Sequence, residues 1–244
     1  MKTRVTSSGI KIIRILGARS NVFLVSGKDT HILVDTSPKL FRRMLTGNLE
    51  KAGIKKIDLL ILTHTHFDHT GNASFIREKY GARVVVHKEE RSFLEEGKNP
   101  LIKGTNRFSS LIAWLAQREP GTFTRYEPCQ ADIMVDESLD LNDFGIKAFL
   151  MHTPGHTQGS VSLIVDNEIA IVGDAMVGTF RNSVFPPFAQ DEKLVVESWG
   201  KLMETGCSWF LPSHGTGRNR EMVERKLGEK GNRGQAEGDV LFRS

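Results

Sequence analysis

The chain has 244 residues and a net charge of +4, with 39% hydrophobic and 25% charged residues, the balance of a globular protein with one substantial core. Charges of both signs are interspersed, which does not favour a nucleic-acid partner. The two cysteines, Cys129 and Cys207, lie far apart with no Cys-x-x-Cys spacing, and this argues against a disulfide scaffold and for a reducing compartment.

Residues 1–17 mix Lys and Arg with short apolar pairs, so neither a signal peptide nor a membrane span is expected, and the cytoplasm is the expected location. Asn21–Val25 and His31–Asp35 read as two strands joined by the turn Ser26-Gly27-Lys28-Asp29. Pro38 opens a helical pattern that runs through Lys51, with Gly53 as its stop. Ile57–Leu62 is a short, nearly continuous apolar run, hence a buried strand, and it delivers Thr63 and His64 at its end. Asn72–Tyr80 reads as a helix stopping at Gly81, and Val84–Val86 as another buried strand.

The segment from Glu90 to Glu127 is irregular: Gly97, Pro100, Gly104, Pro120 and Gly121 surround one apolar patch, Leu111–Leu115. A partly helical lid or insertion within a single domain over 1–244 is the reading. Ile146–Met151, Val161–Val165 and Ile169–Val172 read as strands, and Asp191–Thr205 as a helix capped by Asp191. Trp209–Leu211 is a further strand, and Asn219–Lys230 a last helix before a polar tail. Strands and helices mix, with hairpin-like pairs at the start and in the middle. That predicts a layered α/β fold with mixed sheets, not a doubly wound parallel one.

Four strand ends carry the chemistry. His64, His66, Asp68 and His69 follow the strand 57–62 within six residues. Imidazole and carboxylate are good ligands for zinc, iron or manganese, and a strand end opening into a loop projects such side chains into a shared space. His156 in Pro154-Gly155-His156, Asp174 in Gly173-Asp174 and His214 in Ser213-His214-Gly215 each follow a predicted strand, with Gly at hand for a tight turn.

This ordered set resembles the metallo-β-lactamase superfamily, which is marked by a His-x-His-x-Asp-His loop followed by a later His, Asp and His; the resemblance runs from Asp35 to His214. It implies a four-layer αβ/βα sandwich with mixed sheets. It implies that His64, His66 and His156 hold one divalent metal and Asp68, His69 and His214 a second. Asp174 would bridge them, and Asp35 would orient a ligand without binding metal itself. The cofactor implied is two divalent ions, zinc first, iron or manganese otherwise. The activity implied is hydrolysis by a metal-bridging hydroxide, with Asp68 orienting the nucleophile. A small-molecule ester, thioester, lactone or amide is the expected substrate. A phosphodiesterase or nuclease, and a mononuclear-iron dioxygenase, are the alternatives of the same fold.

Departures narrow the choice. Asp174 stands where one subgroup of zinc β-lactamases carries Cys. The 30 residues after His214 are short for the helical region of glyoxalase II-like enzymes. Tyr80 and Tyr126 both precede Asp174, whereas the quorum-quenching lactonases use a Tyr after it. His31 and His87, inside and at the end of strands, read as structural; His152 is ambiguous; Cys207 reads as a small buried hydrophobe. Phe180 and Arg181, with Phe185 and Phe188, follow Asp174 in a Gly- and Pro-containing loop and are the candidates for substrate contact.

Overall fold

The computed structural model describes residues 2–118 and 125–241. Its first sheet is built from β1 (Lys2–Val5), β2 (Lys11–Gly17), β3 (Asn21–Ser26) and β4 (His31–Val34), which pair antiparallel in chain order. The sheet continues in parallel through β5 (Leu59–Ile61), β6 (Arg83–His87) and β7 (Ile133–Val135). Parallel neighbours need crossovers, and helices supply them: α1 (Arg42–Lys51) before β5, then α2 (Phe67–Thr70) and α3 (Ala73–Tyr80) before β6. Between β6 and β7 lie α4 (Arg91–Glu96) and α5 (Arg107–Arg118).

The second sheet runs from β8 (Ser138–Asp140) through β9 (Ala148–His152), β10 (Val161–Val165) and β11 (Ile169–Gly173), all antiparallel. After α6 (Glu192–Glu204), β12 (Trp209–Pro212) joins parallel to β11, and β13 (Arg218–Asn219) closes the edge before α7 (Arg220–Leu241). Both sheets are therefore mixed, as expected.

Alternation along the strands sorts the side chains into three apolar layers. Phe23, Val25, Val34 and Ile61 of the first sheet meet Leu150, Leu163, Ile171 and Leu211 of the second, forming the core between the sheets. The opposite residues of the first sheet, Leu24, Leu33, Leu60 and Val84, pack on Leu45, Leu49 and Ile76 of α1 and α3. On the far side, Ile164, Ala170 and Phe210 pack on Val195, Trp199 and Leu202 of α6 and Val223 of α7. The result is the four-layer αβ/βα sandwich.

The departures have physical causes. β1 is the sheet edge, a polar Lys-Thr-Arg-Val strand, and in β2 Arg14 divides the apolar residues into the short pairs Ile12-Ile13 and Ile15-Leu16, so no apolar run announces either. The first helix begins at Arg42 rather than Pro38, after a 3₁₀ turn at Lys39–Phe41. Residues 36–38 are held out of the helix because the Asn72 side-chain amide donates to the carbonyls of Thr36, Ser37 and Pro38 at 2.9–3.0 Å. The last helix continues past Lys230 to Leu241; Gly231, Gly234 and Gly238, poor helix formers, are why the sequence does not announce this extension. The segment expected to be a partly helical insertion does carry two helices, α4 and α5; its residues 119–124 lie outside the described ones. Among the described residues, no helix is long and apolar enough to cross a membrane.

The two sheets are also joined at the end opposite β4 and β5. Asp166, in the turn between β10 and β11, accepts from Ser8 N at 3.0 Å and Ser7 Oγ at 3.4 Å and pairs with Lys147 at 2.6 Å. Lys147 and Ser8 hold its carboxyl well below the usual carboxylate range. A depressed folded-state pKa gives stability that is present above the unfolded value near 3.9 and lost as pH falls through the folded one. Asp166→Asn keeps a residue tolerant of the positive φ of 57° found here. It should cost about 1 kcal/mol at neutral pH and flatten the loss of stability below pH ~4, read by denaturant unfolding across pH.

Candidate metal centre

The strand ends of both sheets deliver one cluster. His64 lies just beyond β5, His66 and Asp68 at the start of α2, His69 within α2, His156 after β9, Asp174 after β11 and His214 after β12. All seven are buried or nearly so. Two glycines make the approach feasible. A Cβ on Gly173 (φ 54°) would lie 2.7 Å from Thr63 Cβ, and one on Gly155 (φ 132°) would lie 2.4 Å from Val195 N. A bulge between Ile171 and Gly173 in the β11–β12 pairing turns Asp174 toward the cluster.

Three groups of side chains converge closely enough to hold a cation: His64, His66 and His156; His64, His69 and Asp174; and Asp68, His69 and His214. His156 Nε2 lies 3.2 Å from His64 Nε2 and 3.0 Å from His66 Nδ1. These are close to the ~3.4 Å edge of a tetrahedron with metal–nitrogen bonds of ~2.1 Å. Asp174 lies between the two His-bearing triads, with Oδ2 at 3.7 Å from His156 Nε2 and 3.3 Å from His214 Nε2, and Oδ1 at 3.8 Å from His69 Nε2. Asp68 reaches His214 Nε2 at 3.5 Å and His69 Nε2 at 3.9 Å.

The outward nitrogens fix the tautomers. His156 Nδ1 donates to Phe188 O at 2.8 Å and His214 Nδ1 to Arg19 O at 2.8 Å; a carbonyl only accepts, so each Nδ1 carries the proton. His69 Nδ1 sits 2.8 Å from Asp35 Oδ2. With a cation bound, each of these rings would turn its Nε2 lone pair into the cluster. His69 Nε2 and Asp174 Oδ1 are buried without a hydrogen-bond partner. Lone pairs gathered this tightly, with buried acceptors unmatched by donors, fit a cation at their centre.

The electrostatics divide the cluster. Burial, with the neighbouring imidazoles, pushes His64 well below its ordinary pKa and His66 down to about 3, and burial lowers His156 too. These three stay neutral, the form that ligates. Burial opposes charge on His69 as well, but Asp35, Asp174 and Asp68 outweigh it and lift His69 to about 10; burial is likewise outweighed at His214, raised by Asp174. At Asp174 burial opposes the charged form, but His214 and His69 hold the carboxyl far below the usual range.

Asp35 lies outside the cluster and beneath it. Its carboxylate accepts from His69 Nδ1, from Thr63 N at 2.9 Å, from Thr63 Oγ1 at 2.9 Å and from Ser213 Oγ at 3.0 Å. Phe180 and Arg181 are exposed, in a loop fastened to the cluster at both ends: Gly178 N donates to His214 O at 2.7 Å, and Phe188 O accepts from His156. His31 pairs with Ser26, and His87 stacks on His152 with ring centroids 4.0 Å apart; none of them joins the cluster. Cys207 is buried.

Two residues went unread in the sequence. Glu90 is buried and accepts from Thr65 N at 2.9 Å and from Thr65 Oγ1, anchoring the residue between His64 and His66. Arg19 lies with Nε 3.8 Å from Asp68 Oδ2. The available signal for Glu90 was its place three residues past β6, a strand adjacent to β5; Arg19 carried none.

Fold and site together define a four-layer sandwich with a cluster of His and Asp side chains where the strands of both sheets end. The chain belongs to the metallo-β-lactamase superfamily, whose family model matches residues 16–214. Among similar sequences, the probable metallo-hydrolase MJ0888 of Methanocaldococcus jannaschii is 32% identical over 66% of this chain and 68% of its own length. The acyl-coenzyme A thioesterase MBLAC2 of Homo sapiens is 28% identical over 66% of this chain, and that of Gallus gallus 29% identical over 60%. Those two matches span only 59% and 53% of the relatives' own length. Among solved structures, ST1585 from Sulfolobus tokodaii superposes with a TM-score of 0.65 at 21% identity, covering 91% of this chain and 85% of that one. The subclass B3 enzyme BJP-1 of Bradyrhizobium japonicum gives 0.62 at 20%, covering 96% and 93%. At these identities the structures speak for the fold alone.

Asp35→Asn tests the support beneath the cluster. Asn tolerates the φ of 61° at this position, but its amide turns donors toward donors. Metal affinity, read by chelator competition, should fall about 10–100-fold. The metal-free protein should lose about 1–3 kcal/mol in thermal or denaturant unfolding. Unchanged affinity would remove Asp35 from this role.

Proposed function

We propose that this metallo-hydrolase of the metallo-β-lactamase superfamily is a two-metal enzyme acting on small-molecule thioesters or related esters. The observation that carries the reading is the position of Asp174 between the triads His64–His66–His156 and Asp68–His69–His214, within 3.8 Å of a ring nitrogen on each side. His64, His66 and His156 would hold one ion, Asp68, His69 and His214 the other, with Asp174 shared. Zinc suits this donor set best, and iron or manganese also fit it. The bound ions would supply Lewis acidity, which polarises a carbonyl and acidifies water.

The chain's own groups do the rest. Asp68, 8% exposed and 3.5 Å from His214 Nε2, would orient the attacking water, taking its proton on a carboxylate oxygen. As the carbonyl–sulfur bond breaks, the same oxygen would return the proton to the departing thiolate. The loop holding Phe180 and Arg181 is fastened to His156 and His214, which places it to border a substrate, with Arg19 on the Asp68 side. The choice of thioesters is supported by the two thioesterase relatives.

Metal content by mass spectrometry should give about two ions per chain. Release of free thiol from short acyl-coenzyme A substrates should be readily measured, with phosphodiesters turned over far more slowly. Asp68→Asn should retain metal at the first triad and lose about 10²–10⁴ in kcat. A single ion per chain that soaking does not raise would sink the two-metal reading. Turnover of phosphodiesters without thioesters or esters would sink the substrate class.

A further inference from the structure

Helix α5 is turned the wrong way for a helix that packs on its own protein. Its large apolar residues Phe108, Leu111, Ile112 and Leu115 recur at i, i+3, i+4 and i+7, one face of a helix. That face points to solvent: Phe108 is 74% exposed, Leu111 53% and Leu115 52%. The small residues Ser109 and Ala113 are the buried ones. Trp114, also exposed, borders the stripe, with the Arg118 guanidinium 3.7 Å above its ring.

Charge on the helix and its base is basic. Lys98 is paired with Glu96 at 2.5 Å, and from residue 99 to 118 the sequence has no acidic residue and three basic ones, Lys103, Arg107 and Arg118. The base of the helix is tied to the metal-centre end of the sandwich. Thr105 N donates to Pro187 O and Ala189 N to Lys103 O, both at about 3 Å. Thr105 Oγ1 donates to Pro186 O at 2.9 Å, and the neighbouring Phe188 O holds His156.

From this geometry we infer that α5 is an interfacial platform that docks the protein on an anionic lipid surface through Phe108, Leu111, Ile112, Trp114 and Leu115. An exposed apolar stripe bordered by Trp and by cations, with no acid, matches the boundary between acyl chains and anionic headgroups. A second copy of the chain would set this basic segment against its own like charge. The platform would bring the mouth of the metal centre close to the membrane plane. The docking rests on the α5 surface and stands whatever ester the site hydrolyses.

Co-sedimentation tests this with phosphatidylcholine vesicles carrying about 30% phosphatidylglycerol, against phosphatidylcholine alone. The protein should bind the anionic vesicles about tenfold more tightly and release them as salt rises. Leu111→Asp with Leu115→Asp, two exposed positions, should weaken binding about tenfold or more with thermal unfolding and metal content unchanged. In the unaltered protein, Trp fluorescence should shift to the blue on adding anionic vesicles and be quenched by brominated acyl chains. Absent binding at low salt, equal binding to neutral vesicles, or an unquenched Trp would overturn the proposal. So would a dimer that the two Asp substitutions dissociate, which would assign the stripe to a second copy.

Discussion

Asp35 is a buried carboxylate at the end of β4, and both sheets meet on it. It accepts from Thr63 at the end of β5, from His69 in α2 and from Ser213 at the end of β12. Thr63 and His69 belong to the first sheet's side of the site, Ser213 to the second. A single side chain thus ties the two halves of the cluster together. Such an anion would be costly to bury alone, but four donors satisfy it. Its negative charge, together with those of Asp174 and Asp68, outweighs burial at His69. With His69 Nδ1 engaged, the remaining nitrogen has one direction left, into the cluster.

From that constraint the division of labour follows. The His64, His66 and His156 side is kept neutral by burial, while the His69 and His214 side is bathed in the fields of Asp68 and Asp174. The first side offers neutral donors. The second carries the carboxylates that would balance a cation's charge. Asp174 belongs to both because the bulge at Gly173 turns it inward from the centre of the second sheet. Glu90 reinforces the arrangement from the outer side, gripping Thr65 between the paired histidines.

The loop 178–190 and the segment 101–105 extend the same logic outward. Phe188 O fixes His156, and the strand-like contacts of 103–105 with 186–189 carry α5 on that loop. The chemistry and the exposed apolar helix are thus mechanically joined, although they lie in separate stretches of sequence.

Much of the site was legible in the chain itself. His64-x-His66-x-Asp68-His69 is local, and a buried apolar run such as 57–62 must be a strand whose end opens into a loop, so ligand types and their place could be read from residue order. His156, Asp174 and His214 were legible for the same reason, each following an apolar run. The central strands and α6, with its Asp191 cap, were written in periodicity. What tertiary structure alone decided was everything fixed by long-range contact. The edge strand β1 is largely exposed and polar, and β2 beside it is broken into short apolar pairs by Arg14, so neither carries an apolar run. The start of α1 was set by Asn72, more than thirty residues away. Glu90 and Arg19 entered the site only through long-range contacts, Glu90 with Thr65 and Arg19 with Asp68 and the His214 ring. The outward face of α5 was hidden too, since periodicity locates an apolar stripe but cannot say which side the rest of the protein will cover.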